Sequence, residues 1–375
     1  MKLLVITTEF PPKIGGIGKY AYNMCLGLKA NGWEITTLTS VPLKTHESIT
    51  EFKVYRIPKC LNKKYLKIIP LILKSIWILI KFRPDKILAL TWTHEGIVAC
   101  LLKLILKIEY ALVVHGSEIL MHRNKAIRHQ LMIATLKNAS QIVVNSRYTH
   151  KLVAELGFED KDITVINPPI VPPPCPSDED WKSFEEKFSL AGKRVLLTVS
   201  RMTEHKGHLE ILLSLAQLKK EFPDILYVMT GSGEYLSYLQ KIILKEGLED
   251  FTRTPGFISE EEVAFLFHRC EIYVSPSYEH QMDIEGFGMS FAEASACEKP
   301  VIGGNSGGVS DAILDGKTGL LVPAPDINQL QIALEKLLRD EELQNSLGRE
   351  GKRWAETAFS PNFLGKKMTA VLQKN

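Results

Sequence analysis

Short runs of apolar and β-branched residues alternate along this chain with longer stretches whose hydrophobic positions recur at helical spacing. The runs at 2–7, 34–39, 86–90, 110–114 and 141–145 have the near-continuous character of strands buried on both faces. Helical patterns at 18–31, 69–82, 96–107, 125–137 and 147–156 separate them. Such alternation predicts a mostly parallel sheet with helices on both of its faces. The stretch Pro168–Pro176 breaks the pattern, and a second alternation starts at Arg194. Its strands are expected at 194–199, 225–230, 271–274, 300–302 and 319–322. The architecture that follows is α/β, with two doubly wound domains at 1–170 and 171–360 and a helical tail, 361–375, returning to the first. Ligands of such sheets lie outside the carboxyl ends of the strands, so the cleft between two facing domains is the expected site.

Composition narrows the class. The 375 residues are 45% hydrophobic and 24% charged, as in ordinary globular enzymes. Six scattered cysteines (25, 60, 100, 175, 270 and 297) form no CxxC pair, which points to reduced thiols in the cytoplasm and away from a zinc site. MKLLVITT lacks a signal-peptide pattern, and lysines 74, 81, 103 and 107 interrupt the longest apolar runs before they reach membrane-spanning length. The net charge of +3 conceals a division: residues 1–170 hold 24 Lys+Arg against 12 Asp+Glu, and 171–375 hold 22 against 31. A basic first half suits an anionic partner. No nucleic-acid-binding motif accompanies it, so nucleic acid is not expected as a partner. The segment 63–83 carries Lys67, Lys74 and Lys81 on one helical face and Leu66, Ile69, Leu73, Ile76 and Ile80 on another. It reads either as a sheet-covering helix with its lysines in water or as an interfacial helix on an anionic membrane.

The chemistry concentrates in the second half. Glu285 and Glu293 flank the turn Gly286-Phe287-Gly288, which opens a helix expected over 288–297, with Met289 among the residues expected at the ligand. A helix N-terminus offers unpaired amides and partial positive charge to phosphate, while two carboxylates accept from hydroxyls. The combination indicates a ligand with both groups, a nucleotide sugar. Arg201 and Lys206, in SRMTEHKG, follow a buried strand, where two fixed cations can hold a diphosphate without a metal. Gly231, in MTGSGE, follows another strand and either leaves room for a nucleoside or makes a plain turn. Gly15 and Gly16 lie between the first strand and a helix, where the backbone can approach an anion or simply turn. His115 closes the strand YALVVH and either faces a ligand or is satisfied by backbone groups. The remaining histidines show no metal-triad spacing. Asp178-Glu179-Asp180 matches a metal-binding DxD pattern but sits after the proline stretch and reads as a helix-capping cluster.

Together FPPKIGGIGKY (10–20), VVHGSE (113–118), SRMTEHKG (200–207), MTGSGE (229–234), PGFISEEEV (255–263) and the run 285–311 resemble the retaining GT-B glycosyltransferases of the group 1, family 4 type. The fold this resemblance implies is two Rossmann-like domains facing across a cleft. It implies that Arg201 and Lys206 hold the donor diphosphate, Glu285 contacts the transferred sugar and Glu293 the ribose. His115 would lie beside the sugar, Gly15 and Gly16 near the phosphates, and Phe257 and Ile258 near the base. No cofactor or metal is implied, and the partners are a nucleotide-sugar donor and a lipid-linked or glycan acceptor. DIEGFG (283–288) is similar to the phosphatidylinositol-mannosyltransferase branch, which gives mannose from GDP-mannose as the expected donor chemistry. The location expected is cytoplasmic, peripheral to the membrane. A nucleotide-sugar epimerase and a non-catalytic nucleotide-sugar-binding protein are the alternatives. One departure is Glu298, where the family carries glycine in the turn before Pro300.

Overall fold

In the computed structural model, residues 1–12, 15–41, 51–58, 67–159 and 161–374 are described. Leu66 of the segment 63–83 and Cys60 lie outside them. The chain forms two compact units, Met1–Ile170 with Phe359–Asn375, and Val171–Ala358.

Unit 1 is built on seven strands: β1 (Lys2–Thr7), β2 (Glu34–Thr39), β3 (Lys53–Arg56), β4 (Lys86–Ala89), β5 (Tyr110–Val114), β6 (Gln141–Val144) and β7 (Ile163–Val165). All pair in parallel in the order β3-β2-β1-β4-β5-β6-β7. The runs of β1, β5 and β6 are buried on both faces because helices cover the sheet on both sides. The order reverses between β1 and β4. There the buried carboxylate of Glu95 accepts from the amide and hydroxyl of Thr8 at 2.6 and 2.7 Å and from the Thr91 hydroxyl at 2.6 Å, tying the two strand ends together. The last helix, Pro361–Gln373, lies on Gly16–Ala30. The two approach so closely that a Cβ on Gly365 would fall 2.2 Å from the Gly27 carbonyl carbon.

Unit 2 has six strands: β8 (Arg194–Val199), β9 (Ile225–Thr230), β10 (Thr252–Gly256), β11 (Ile272–Ser275), β12 (Val301–Gly304) and β13 (Leu320–Val322). They pair in parallel in the order β10-β9-β8-β11-β12-β13, reversing between β8 and β11. Both units are therefore Rossmann-like, and the chain is α/β. Asp178–Asp180 form the first turn of the helix Asp178–Phe188, whose amide at Asp180 donates to the Ser177 hydroxyl, so this cluster caps a helix.

Two differences from the sequence expectations have physical causes. Strands β3, β7 and β10 were not expected: they are edge strands, partly solvated, and β10 contains Pro255 and Gly256. The segment 63–83 does form a helix, Ile68–Phe82, but the side it turns to the sheet is Leu71, Ser75, Ile78 and Leu79. Ile69, Leu73 and Ile80, the row read as a candidate core face, are exposed. Lys74 is not simply in water: its ammonium lies 4.1 Å from the Trp77 ring centroid and 5.0 Å from that of Tyr55.

Candidate functional site

The site assembles where β8 and β11 part, the place at which a doubly wound sheet leaves a crevice. The chain leaves β8 through Ser200 and Arg201, makes a short turn at Glu204–Lys206 and enters the helix His208–Leu218. Lys206 Nζ donates a short hydrogen bond to Glu285 Oε2, an ion pair spanning 79 residues. Both side chains are largely covered, 13% and 19% exposed. Burial raises the Glu285 carboxyl, but the charge and hydrogen bond of Lys206, then His205 and Arg201, pull it below the ordinary carboxylate range. Lys206, Arg201 and Glu285 thus form one electrostatic cluster.

The backbone after Glu285 is held firmly. The Gly308 amide donates to the Glu285 carbonyl at 2.8 Å, and Ile284 and Phe287 are buried. Gly288 caps the helix Met289–Ala296 at φ 88°, in the left-handed region. A Cβ there would stand 2.5 Å from the Phe291 ring and 3.4 Å from Glu285 Cγ, so only glycine lets the chain turn this close to the carboxylate. No side chain caps this terminus and no acid occupies its first turn, which leaves its dipole facing the loop of Gly286–Gly288. Glu293 lies within the helix, 8% exposed. It and Glu285 both act on the buried Tyr273 hydroxyl, which burial raises far above its usual range. Gly231, at φ 130°, brings the end of β9 against β8: a Cβ would lie 1.9 Å from the Ser200 carbonyl oxygen.

Beneath Arg201 lies a buried chain that the sequence reading missed. Tyr227 donates to Thr198 Oγ1 at 2.9 Å, His208 Nδ1 lies 2.8 Å from the Tyr227 hydroxyl, and His208 Nε2 lies 3.0 Å from Ser200 Oγ. Thr198 in turn donates to the Val274 carbonyl on β11. Burial, then the charge of Lys206, pushes His208 down to about 3, so it stays neutral and can bridge a donor to an acceptor. His205, 2% exposed, is likewise pushed down to about 4 by burial and Lys206. Its Nδ1 is 3.9 Å from Asp283, which begins DIEGFG. A histidine at a helix start carries no sequence mark of this role; its burial does.

The other expected positions fall as follows. Phe257 follows β10 and is 84% exposed, with Ile258 half-buried beside it. Gly256, before them, accepts from the Gly231 amide at 2.8 Å, which links that loop to the Gly231 turn. In unit 1, Gly15 and Gly16 are exposed at the start of Gly16–Ala30, a terminus with no capping side chain and no acid in its first turn. A Cβ on Gly15 would meet Glu9 Oε2 at 2.7 Å. His115 Nε2 lies 2.8 Å from the Leu90 carbonyl, so Nε2 carries a proton and donates it there. The ring packs edge-on against Tyr20, and the His115 amide donates to Glu118 at 2.7 Å. Glu298 adopts φ 62° at the end of Met289–Ala296. The bonds from Glu298 N to Ser295 O (2.9 Å) and from Lys299 N to Ala294 O (3.1 Å) make this a Schellman termination, where glycine is the favoured residue. Among the described residues, no group of three or more potential ligands is placed to hold a metal ion.

Two parallel-sheet units with this cluster at the second switch point define a glycosyltransferase of the GT-B class. The family model for glycosyltransferase family 4 matches residues 14–172, and that for glycosyl transferases group 1 matches 179–354. The chain belongs to this family. It is 28% identical over 238 residues to a GDP-mannose-dependent alpha-(1-6)-phosphatidylinositol monomannoside mannosyltransferase of Mycolicibacterium smegmatis, covering 63% of this chain and 62% of that protein. Mycobacterial and corynebacterial relatives named for similar reactions are matched over about half their length, 50% and 51%. An uncharacterized glycosyltransferase of Methanocaldococcus jannaschii is 27% identical over 100% of this chain and 97% of its own. HepE of Anabaena, solved in complex with UDP and glucose, shares the fold with a TM-score of 0.82 at 18% identity, covering 99% of both chains.

Proposed function

We propose that this protein transfers a hexose from a nucleoside-diphosphate sugar to an acceptor hydroxyl with retained configuration, and that the donor is GDP-mannose. The observation that carries the reading is the Lys206–Glu285 pair, with Arg201 in electrostatic reach, beside the uncapped start of Met289–Ala296. A donor diphosphate would take Lys206 and Arg201 as counter-ions. That frees the Glu285 carboxylate to accept from sugar hydroxyls, while Glu293 would accept from the ribose. As the bond between the anomeric carbon and the phosphate oxygen breaks, the acceptor oxygen bonds to that carbon from the same face. The departing phosphate takes the acceptor proton. The two cations stabilise the growing negative charge, a contribution of several kcal/mol in a preorganised site, so the step as drawn uses no metal. Relatives named as GDP-mannose-dependent support the choice of donor.

The exposed row of Ile68–Phe82 supports membrane association. Ile69, Leu73, Trp77 and Ile80 are each at least 40% exposed, with Lys74 and Lys81 alongside. Apolar residues at the acyl boundary with lysines at headgroup level fit an anionic surface. No described helix is long and apolar enough to cross a membrane.

Thermal stabilisation by GDP-mannose, UDP-glucose and UDP-N-acetylglucosamine, followed by donor consumption with and without added acceptor, tests the function. GDP-mannose should give the largest shift and acceptor-dependent release of GDP. Conversion without acceptor would point to an epimerase, and binding without turnover to a non-catalytic protein.

A further inference from the structure

Residues 121–131 carry Arg123, Lys125 and Arg128 and no carboxylate. They follow β5 and the short helix Ser117–Leu120 and run into the helix Ala126–Asn138, at the edge of unit 1 where His115 closes β5. Arg128 Nη1 lies 2.6 Å from His122 Nε2, and His122 Nδ1 lies 2.8 Å from the Glu118 carbonyl. A guanidinium only donates, so Nε2 accepts, Nδ1 carries the proton and the ring is neutral. Burial, and after it the charges of Arg128 and Lys125, hold His122 below its ordinary value against the opposing Glu118 carbonyl, which keeps the ring uncharged. Trp92 fixes the arrangement: its ring packs edge-on to His122 at 5.0 Å and its Nε1 donates to the same Glu118 carbonyl at 3.3 Å.

Arg128 is therefore oriented by a neutral group and keeps its full charge. Among the described residues, no ion pair joins Arg123, Lys125 or Arg128 to a carboxylate. Next to these cations, Ile127 is 76% exposed and Leu131 41%, one helical turn apart on one face. A fixed guanidinium with two further cations within five residues of it in the chain matches a tetrahedral anion of several oxygens. An exposed aliphatic row beside it matches hydrocarbon.

We propose that Arg123, Lys125 and Arg128 bind a phosphate ester on the acceptor, with the acceptor's hydrocarbon chain lying over Ile127 and Leu131. This rests on the glycosyltransferase reading and names its acceptor class as an amphipathic phosphate.

The test is equilibrium binding to the full chain of decyl phosphate below its micelle concentration, of inorganic phosphate and of the uncharged decyl glucoside, followed by Trp fluorescence. Wild type, Arg128→Gln, Lys125→Gln and Arg123→Gln, the last at an exposed position, are compared, each with its melting temperature and its shift with GDP-mannose. Decyl phosphate should bind tightest, and each substitution should weaken it about tenfold, the loss of one charge-assisted contact. The nucleotide-sugar shift should be unchanged. Equal binding of decyl phosphate and inorganic phosphate would overturn the hydrocarbon part. Equal binding of decyl phosphate and decyl glucoside, or decyl phosphate binding indifferent to Lys125→Gln and Arg123→Gln, would overturn the phosphate site. If decyl phosphate binds through these residues but no nucleotide sugar shifts the melting temperature, the site stands and the proposed reaction fails.

Discussion

Lys206→Met retains most of the side chain's length and removes its charge, so it separates what Lys206 does for the fold from what it does for the donor. Lys206 and Glu285 are 13% and 19% exposed. Breaking a fully buried pair costs about 3–5 kcal/mol and an exposed one about 0–1, so this pair should cost about 2 kcal/mol. For a unit of this size that is a fall of about 5 °C in melting temperature. The Glu285 carboxyl should rise at the same time, because burial then acts without its main opposing charge. In turnover the loss is larger. A preorganised group facing the leaving group's charge is worth about 3 kcal/mol, roughly a hundredfold or more in rate.

The double variant Lys206→Met/Glu285→Gln resolves the two contributions. It removes the unpaired carboxylate, so the melting temperature should return close to wild type while transfer stays lost. The assay is donor consumption and product formation at saturating acceptor, with melting followed in parallel. Wild-type turnover in Lys206→Met would refute the assignment of Lys206 to the diphosphate. Recovery of turnover in the double variant would show that Lys206 acts only by neutralising Glu285.

Three further outcomes are expected. His208 and His205 titrate near 3 and 4 in the folded protein against an ordinary 6.5. The unfolded chain therefore binds more protons between these values, so their contribution, present in full above about 6.5, should be lost as pH falls toward 4 and then 3. Urea unfolding should show stability falling across that window, and the His208→Gln variant should show a shallower fall. Glu298→Gly should relieve left-handed strain of about 1 kcal/mol while losing the exposed 3.1 Å contact to Lys352, raising the melting temperature slightly. A lower one would show that the pair outweighs the strain. Leu73→Glu should leave melting unchanged and reduce sedimentation with anionic vesicles by about tenfold, the loss of one buried aliphatic side chain; unchanged sedimentation would remove this helix from membrane binding.

How far the sequence reached depends on how local each signal was. The central strands were legible because burial on both faces makes β1, β5, β6, β8 and β9 nearly continuous apolar or β-branched runs; β3, β7 and β10 at the edges lack that mark. Arg201 and Lys206 were legible by their place after a strand, and Glu285 by the glycine turn before a helix, but their grouping was not, since the pair spans 79 residues and only the β8-β11 crossover brings it together. The His208–Tyr227–Thr198 chain escaped for the same reason, linking a helix to the interior of two strands. Glu298 shows the converse. A departure of one residue marked a backbone position that proves to be left-handed, because turn chemistry is written locally. The helix Ile68–Phe82 marks the limit of periodicity. It is apolar nearly all round, so two stripes satisfy the helical repeat, and which one meets the sheet is decided by the neighbouring β-strands and by His94–Leu106. The stripe left outside is the one with lysines on its flank. That makes its exposure a property of the fold and gives the Leu73→Glu measurement its force.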